Sequence, residues 1–380
     1  MSTIIRTRSP FFIRTPQETS SSLSYFQINI TVFGGLSSST EVCDDLYATY
    51  ALQKKPLGAE NSVTVDISEI VNDHLEQIFT GTYSASSAKS SIWVTVATSA
   101  RQSDGQIVPD TSVTSNTYLA QEGYNKFKEG VNYTTEPTAM ISSNYIQYHL
   151  GSTVTIPVNV ERVTSIKWRS GTGVRETDSF TDNGNQNQKI QYAQFTSTTL
   201  LDNVLVTYDS GSTSTITLAP TEECKYPVNK ITFVNRWGAM QDLFFFKKSV
   251  DSLESRSESF NRSIFEARAV QLDPPEEPEQ PCQESLTFNT YSTTAHAKKT
   301  FNANATESVL LNTGFVNELM NPYFEELMVS ENIWLTDSSD NIYPVNLKES
   351  SFTKKTGLND RLINYTMNFE KAFALVNNIR

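Results

Sequence analysis

Cysteine is scarce. Only Cys43, Cys224 and Cys282 occur in 380 residues, widely spaced and without a CxxC pair. Three is an odd number, so no complete disulfide framework can close within the chain. Histidine is equally sparse, with only His74, His149 and His296, and a structural zinc site would lack ligands in register. No run of about 18 apolar residues occurs, which excludes a membrane-spanning helix. The opening MSTIIRTRSPFFIRTP has arginines but no apolar core of signal-peptide length. The expectation is a protein made in a reducing cytoplasm without a signal peptide, its three thiols free. Positive charge is also short. Lys+Arg 30 against Asp+Glu 42 leaves −12, and pairs such as Lys247-Lys248, Lys298-Lys299 and Lys354-Lys355 are too small and scattered to attract a phosphate backbone, so no nucleic-acid partner is expected. Charged residues are 19% and hydrophobic residues 38%, below the globular averages of about 25% and about 45–50%. Ser, Thr, Asn and Gln fill the gap. That balance argues against a long coiled coil, and 11% aromatics argue against disorder.

What is present is short-period alternation. Tyr25-Phe26-Gln27-Ile28-Asn29-Ile30-Thr31-Val32-Phe33 alternates apolar and polar residues and stops at Gly34-Gly35, a half-buried strand ending in a turn. Residues 47–52, 62–65 and 92–97 read as further strands, with Asp104-Gly105 as a turn. From Thr153 alternation resumes through Val154, Ile156, Val158 and Val160. Short strands then follow at 166–168, 190–195, 203–208 and 214–218, with turn signals at the spacing of a small sandwich. Trp168 resembles the core tryptophan of immunoglobulin-like domains, but the two partner cysteines are absent, so only the general architecture carries over. Later strands are read at 230–235, 243–246, 308–311, 332–336, 342–347 and 362–369.

Two stretches break the period. Asp66 with Glu69 makes a capping-box pattern, after which Ile67, Ile70, Val71, Leu75, Ile78 and Phe79 share one face and Gly81 supplies a stop. The second stretch runs over 314–328, with Val316, Leu319, Met320, Tyr323, Phe324 and Leu327 on one side, and Pro322 must kink or restart it. The fold class is therefore mostly β: tandem β-sandwich modules with two isolated amphipathic helices, at about 66–79 and 314–328. Three domains are expected. They are an N-terminal β-sandwich with one helix (1–135), a small immunoglobulin-like β module (136–226), and a β-rich C-terminal domain with one helix (227–380). The acidic, proline-rich segment 273–281 is read as a surface loop.

Motifs for chemistry are missing. There is no GxSxG elbow, phosphate-binding loop, dinucleotide fingerprint, HExxH or EF-hand loop. Asp337-Ser338-Ser339-Asp340-Asn341 lacks the central glycine and distal glutamate of a calcium loop and reads as a hairpin turn. Glu276, Glu277 and Glu279 are neighbours on one loop, whereas glycosidase carboxylates must face each other across a sugar. His74, beside the first apolar stripe, reads as a packed histidine. The tryptophans Trp93, Trp168, Trp237 and Trp334 sit in or beside strand-like runs and read as core. No catalytic residue, metal ligand or cofactor is assigned.

Two further stretches carry a resemblance. The first combines Ser9-Pro10-Phe11-Phe12-Ile13, the strand 24–33, Tyr50-Ala51-Leu52-Gln53-Lys54 and Val65-Asp66-Ile67-Ser68-Glu69-Ile70-Val71-Asn72-Asp73. The second is Ile231-Thr232-Phe233-Val234-Asn235-Arg236-Trp237-Gly238-Ala239 with Phe244-Phe245-Phe246-Lys247-Lys248-Ser249. Together they resemble virion structural proteins of tailed bacteriophages, of the tail-tip or baseplate type with immunoglobulin- or fibronectin-like modules. The resemblance implies a non-enzymatic virion component made in the host cytoplasm. Such a component assembles in the tail with other tail proteins and with copies of itself, in a homo-oligomeric ring. The alternative is a receptor- or carbohydrate-binding module on the same particle, with a host-surface glycan as partner; a glycan hydrolase is a third reading. Candidate assembly contacts are Pro10, Phe11, Phe12 and Ile13. Pro10 favours an extended Ser9, and the three apolar side chains call for cover by a sheet or a neighbour.

Overall fold

The computed structural model describes residues 2–35, 46–56, 61–83, 89–135, 139–182, 184, 186–196, 200–271, 284–357 and 363–376. Strands account for 49% and helices for 6%, arranged as several sheets with only two short helices, a β-sandwich-rich fold. The chain divides into two units, Met1–Val250 with Val309–Ala372, and Asp251–Ser308 with Phe373–Arg380.

The first unit contains three principal sheets. The N-terminal one has the strand order Ile4–Arg6, Thr114–Gln121, Ser91–Arg101, Tyr25–Phe33, Leu46–Lys54. Its pairings are antiparallel except the first, where Ile4–Arg6 runs parallel to residues 119–121. The alternation of Tyr25–Phe33 puts Ile28, Ile30 and Val32 at 0% exposure. Each such side chain contributes about 1.5–3 kcal/mol by leaving water. They meet Ile13, Val63, Ile67 and Val71, from a small two-stranded sheet (Phe12–Arg14 with Thr64–Asp66) and the helix that follows it.

That helix is much shorter than its periodicity suggests. It spans Ser68–Asn72 rather than 66–79. The capping box does not form. Asp66 is held in the strand, its Oδ1 accepting from Phe11 N (3.0 Å), Ser68 N (3.0 Å) and Ser68 Oγ (2.8 Å). Beyond Asn72 the backbone is claimed elsewhere: Glu76 N donates to Lys89 O, and Phe79 joins an aromatic cluster with Tyr83 and Trp334. Tertiary contacts thus override a local helical pattern.

The middle of the chain forms a sandwich. One sheet has the order Gly173–Ser179, Val163–Ser170, Asn203–Tyr208, Thr213–Thr221, Tyr145–His149; Ile190–Thr196 paired with Thr153–Asn159 forms the other. Val154, Ile156, Val158, Ile166, Val204, Val206 and Ile216 fill the space between them. Trp168 is fully buried there, stacked on Phe195 at 5.4 Å, with Nε1 donating to Asp178 Oδ2 at 2.8 Å. The same core continues into the third sheet, seven strands in the order Met240–Phe245, Asn229–Val234, Ile333–Thr336, Ile342–Leu347, Thr366–Lys371, Lys298–Asn312, Val250–Asn261. Pro322 restarts the second helical stretch: a 3₁₀ turn at Glu318–Met320, capped by Asn317, passes into an α-helix at Asn321–Met328. Phe324 and Leu327 of that helix reach 0% exposure.

The second unit is a β-ribbon. Val250–Asn261 lies beside Lys298–Asn312, and Phe265–Gln271 pairs with Glu284–Tyr291. All twelve residues of Val250–Asn261 are exposed. The segment 273–281, Cys43 and Cys282 lie outside the described residues.

Candidate assembly surface

The segment Ser9–Ile13 starts from a turn, Ser9 N donating to Arg6 O at 2.9 Å, enters the strand Phe12–Arg14, and is tied down on both sides. Ser9 Oγ accepts from Asn125 N at 2.8 Å, and Pro10 O accepts from Asn132 Nδ2 at 2.8 Å. Ile67 N donates to Phe11 O at 3.1 Å, and the register then pairs Phe12 with Asp66, Ile13 with Val65 and Arg14 with Thr64. The alternation of a strand sorts the four candidate residues. Ile13 is buried in the N-terminal core. Phe11 packs on the same core, its ring edge-on to Tyr118 at 5.2 Å. Their apolar surface is used inside the chain. Phe12, 63% exposed, and the exposed Pro10 point outward. The loop that grips this segment adds Phe127, fully exposed, with Val131 and Tyr133 also exposed. These three fall at odd positions of Asn125-Lys126-Phe127-Lys128-Glu129-Gly130-Val131-Asn132-Tyr133, a one-sided pattern too short and too charged to read as a strand. A polar groove of about 770 Å³ lies beside Pro10, with Arg8 bridged to Glu331 at 3.0 Å and with Asp66, Glu69 and Asp73 on its walls.

The second resembling stretch forms the tight turn Asn235–Gly238, between the strands Asn229–Val234 and Met240–Phe245. Its residues act as a staple to the N-terminal sheet. Asn235 Oδ1 accepts from Trp237 N (3.0 Å) and Ala239 N (3.2 Å), while its Nδ2 donates to Met140 O (2.7 Å) and Gln241 Oε1 (2.9 Å). Arg236 grips both oxygens of Glu129, at 2.9 and 2.8 Å, and lies over Trp237 at 4.3 Å. Arg6 Nη1 donates to Trp237 O at 2.5 Å, and Tyr124 N donates to Arg236 O at 3.0 Å. Gly238 meets the Glu122 carbonyl so closely that a Cβ there would stand 1.8 Å from its oxygen. The charges are arranged accordingly. The hydrogen bonds from Arg236 hold the Glu129 carboxyl below its ordinary range. Burial pushes Glu122 and Glu326 up; Glu326 accepts from Ser142 Oγ (2.7 Å) and from Arg236 N (3.2 Å). The stretch therefore carries shape rather than chemistry.

The remaining polar candidates are occupied structurally. His74 meets the Tyr50 hydroxyl at 2.7 Å. Asp337 closes its own turn, accepting from Ser339 N, Asn341 N and Asn341 Nδ2. Trp93, Trp168 and Trp334 are buried, and Trp237 is half-buried between Arg6 and Arg236. Among the described residues no group of three or more His, Cys, Asp or Glu is placed to hold a metal ion. A second groove, of about 950 Å³, is walled by Tyr83, Tyr192, His149, Gln194, Lys230 and Asp340. Tyr192 Oη accepts from Met240 N, and the Tyr83 hydroxyl donates to Asp242, so both hydroxyls face the fold. No helix among the described residues is long and apolar enough to cross a membrane. No family model matches the chain, and no curated protein matches it.

Proposed function

We propose that this protein is a non-enzymatic structural component of a tailed-bacteriophage virion. Its place is the tail, at the tip, the baseplate or a ring, and it works through contacts with other tail proteins and with copies of itself. The observation that supports this best is the outward face of the N-terminal segment. Phe12 stands exposed on a strand that is itself rigidly held, beside a loop exposing Phe127, Val131 and Tyr133. Apolar side chains on ordered backbone lose little entropy on docking and suit a specific contact of at least about 1,000 Å². Deleting residues 1–16 would also remove Ile4, Ile5 and Ile13 from the core, so the sharper test is Phe12→Ser with Phe127→Ser. Complementing particles that lack the protein, this variant should fold as wild type and yet enter particles poorly. Normal incorporation refutes the assignment of this face.

The second reading, a glycan-binding module, is favoured by the groove with Tyr83, Tyr192, Gln194 and Lys230 on its walls. Binding to host-surface glycans that is lost in Lys230→Ala, with assembly intact, would support it over the first.

A further inference from the structure

The strand Val250–Asn261 ends the order of its sheet, with Lys298–Asn312 as its one strand neighbour among the described residues. All twelve of its residues are exposed. An unpaired sheet edge is a template for another strand. We propose that this edge pairs antiparallel with the same strand of a second copy, about a two-fold axis through Ser255, so that the two sheets join edge to edge. The inference does not rest on the virion reading and is tested on the purified chain.

The sequence of the strand selects its own partner. One face carries Val250, Ser252, Glu254, Arg256, Glu258 and Phe260; the other carries Asp251, Leu253, Ser255, Ser257, Ser259 and Asn261. In an antiparallel pair about a two-fold axis, residues facing each other lie on like faces, so the register can move only in steps of two. With Ser255 opposite itself, Glu254 of one copy faces Arg256 of the other, twice. Val250 then faces Phe260, also twice, and Ser252 faces Glu258. Moving the axis by one residue either way sets Arg256 against Arg256 or Glu254 against Glu254, and like charges directly opposed are repulsive. Within the chain Arg256 already meets Glu254, at 3.2 Å, with their side chains 86% and 54% exposed. Pairing would place each guanidinium between its own Glu254 and that of the second copy. Val250, 50% exposed, and Phe260, 45% exposed, would gain cover at both ends of the contact. The pattern is self-complementary, which is what a two-fold contact between identical chains requires.

The test is charge reversal, read by sedimentation equilibrium on the full chain. Wild type should show an association constant for a species of twice 42.6 kDa. Arg256→Glu puts Glu opposite Glu, and Glu254→Arg puts Arg opposite Arg. Each alone should weaken association by about tenfold or more, since two cross-strand pairs turn from attractive to repulsive. The double variant E254R/R256E restores opposite charges and should recover pairing. A mixture of the two single variants should form a mixed dimer that neither forms alone, an outcome misfolding cannot produce. A wild type that stays monomeric at every concentration, single variants that associate as wild type does, or a mixture that remains monomeric would each overturn the proposal.

Discussion

Replacing Gly238 by alanine tests the staple directly, because a second glycine serves as its control. Gly238 has φ 78° and Gly211 has φ 77°. Alanine therefore meets the same left-handed backbone penalty at both, about 1–2 kcal/mol, and the same gain from a stiffer unfolded chain. The two sites differ only in space. At Gly211 a Cβ meets nothing within 4 Å; at Gly238 it would stand 1.8 Å from the Glu122 oxygen, where real contacts stay beyond 3.0 Å. The turn must therefore retreat by at least 3.0 − 1.8 = 1.2 Å. Retreat breaks the hydrogen bonds Arg6 Nη1 to Trp237 O and Tyr124 N to Arg236 O. Leaving buried groups unpaired costs about 1–3 kcal/mol each, so Gly238→Ala should lose about 2–6 kcal/mol more than Gly211→Ala. Guanidinium unfolding followed by tryptophan fluorescence measures the difference. Losses within about 1 kcal/mol of each other would show that the close approach is not holding the two sheets together.

Arg236→Lys loses the two-point grip on Glu129 and the stacking over Trp237. It should cost about 1–3 kcal/mol in the same assay, and Glu129→Gln added to it should cost little more if the two act as one unit. Burial raises the phenol groups of Tyr83, Tyr124, Tyr192 (to about 12) and Tyr323. A raised folded value means the neutral phenol is favoured by folding. Their contribution is complete below pH 10 and is lost as pH rises from 10 towards 12 and beyond; the denaturation midpoint should fall across that range, and a flat profile would contradict the burial. Titration of the denatured, unreduced chain should find Cys43, Cys224 and Cys282 all as free thiols. A loss of two would show that the argument from compartment was wrong.

Where one face of a strand is apolar and the other polar, the sequence announces it. Tyr25–Phe33 and Asn203–Tyr208 stand where alternation places them because the buried face demands an apolar side chain at every second position. Val250–Asn261 and Gly173–Ser179 are illegible for the converse reason. With no buried face, no period is imposed, and VDSLESRSESFN looks like loop. The helix expected over 66–79 failed through its far end, where Leu75, Ile78 and Phe79 fit a helical face yet Phe79 answers to Trp334, far along the chain. At the candidate surface, the strand at Phe12–Ile13 is legible from the apolar run, whereas Ser9, expected to be extended, closes a turn onto Arg6 O. Which side chains of the segment turn inward is not legible, because that depends on the register with Thr64–Asp66. Phe127, Val131 and Tyr133 gave no warning, since exposure is set by the fold around a loop rather than by the loop.

The ribbon is also an insertion. It leaves the chain after Val250 and returns it at Val309, in the midst of strands that build the third sheet. At its base the Ser252 and Ser308 hydroxyls are 2.8 Å apart. Two chain ends that close can be joined by a tight turn without disturbing what lies behind them. The insertion can therefore be lengthened, shortened or exchanged by recombination while the strands on either side of it in the sequence are kept, so that its contact partner can evolve separately from the first unit.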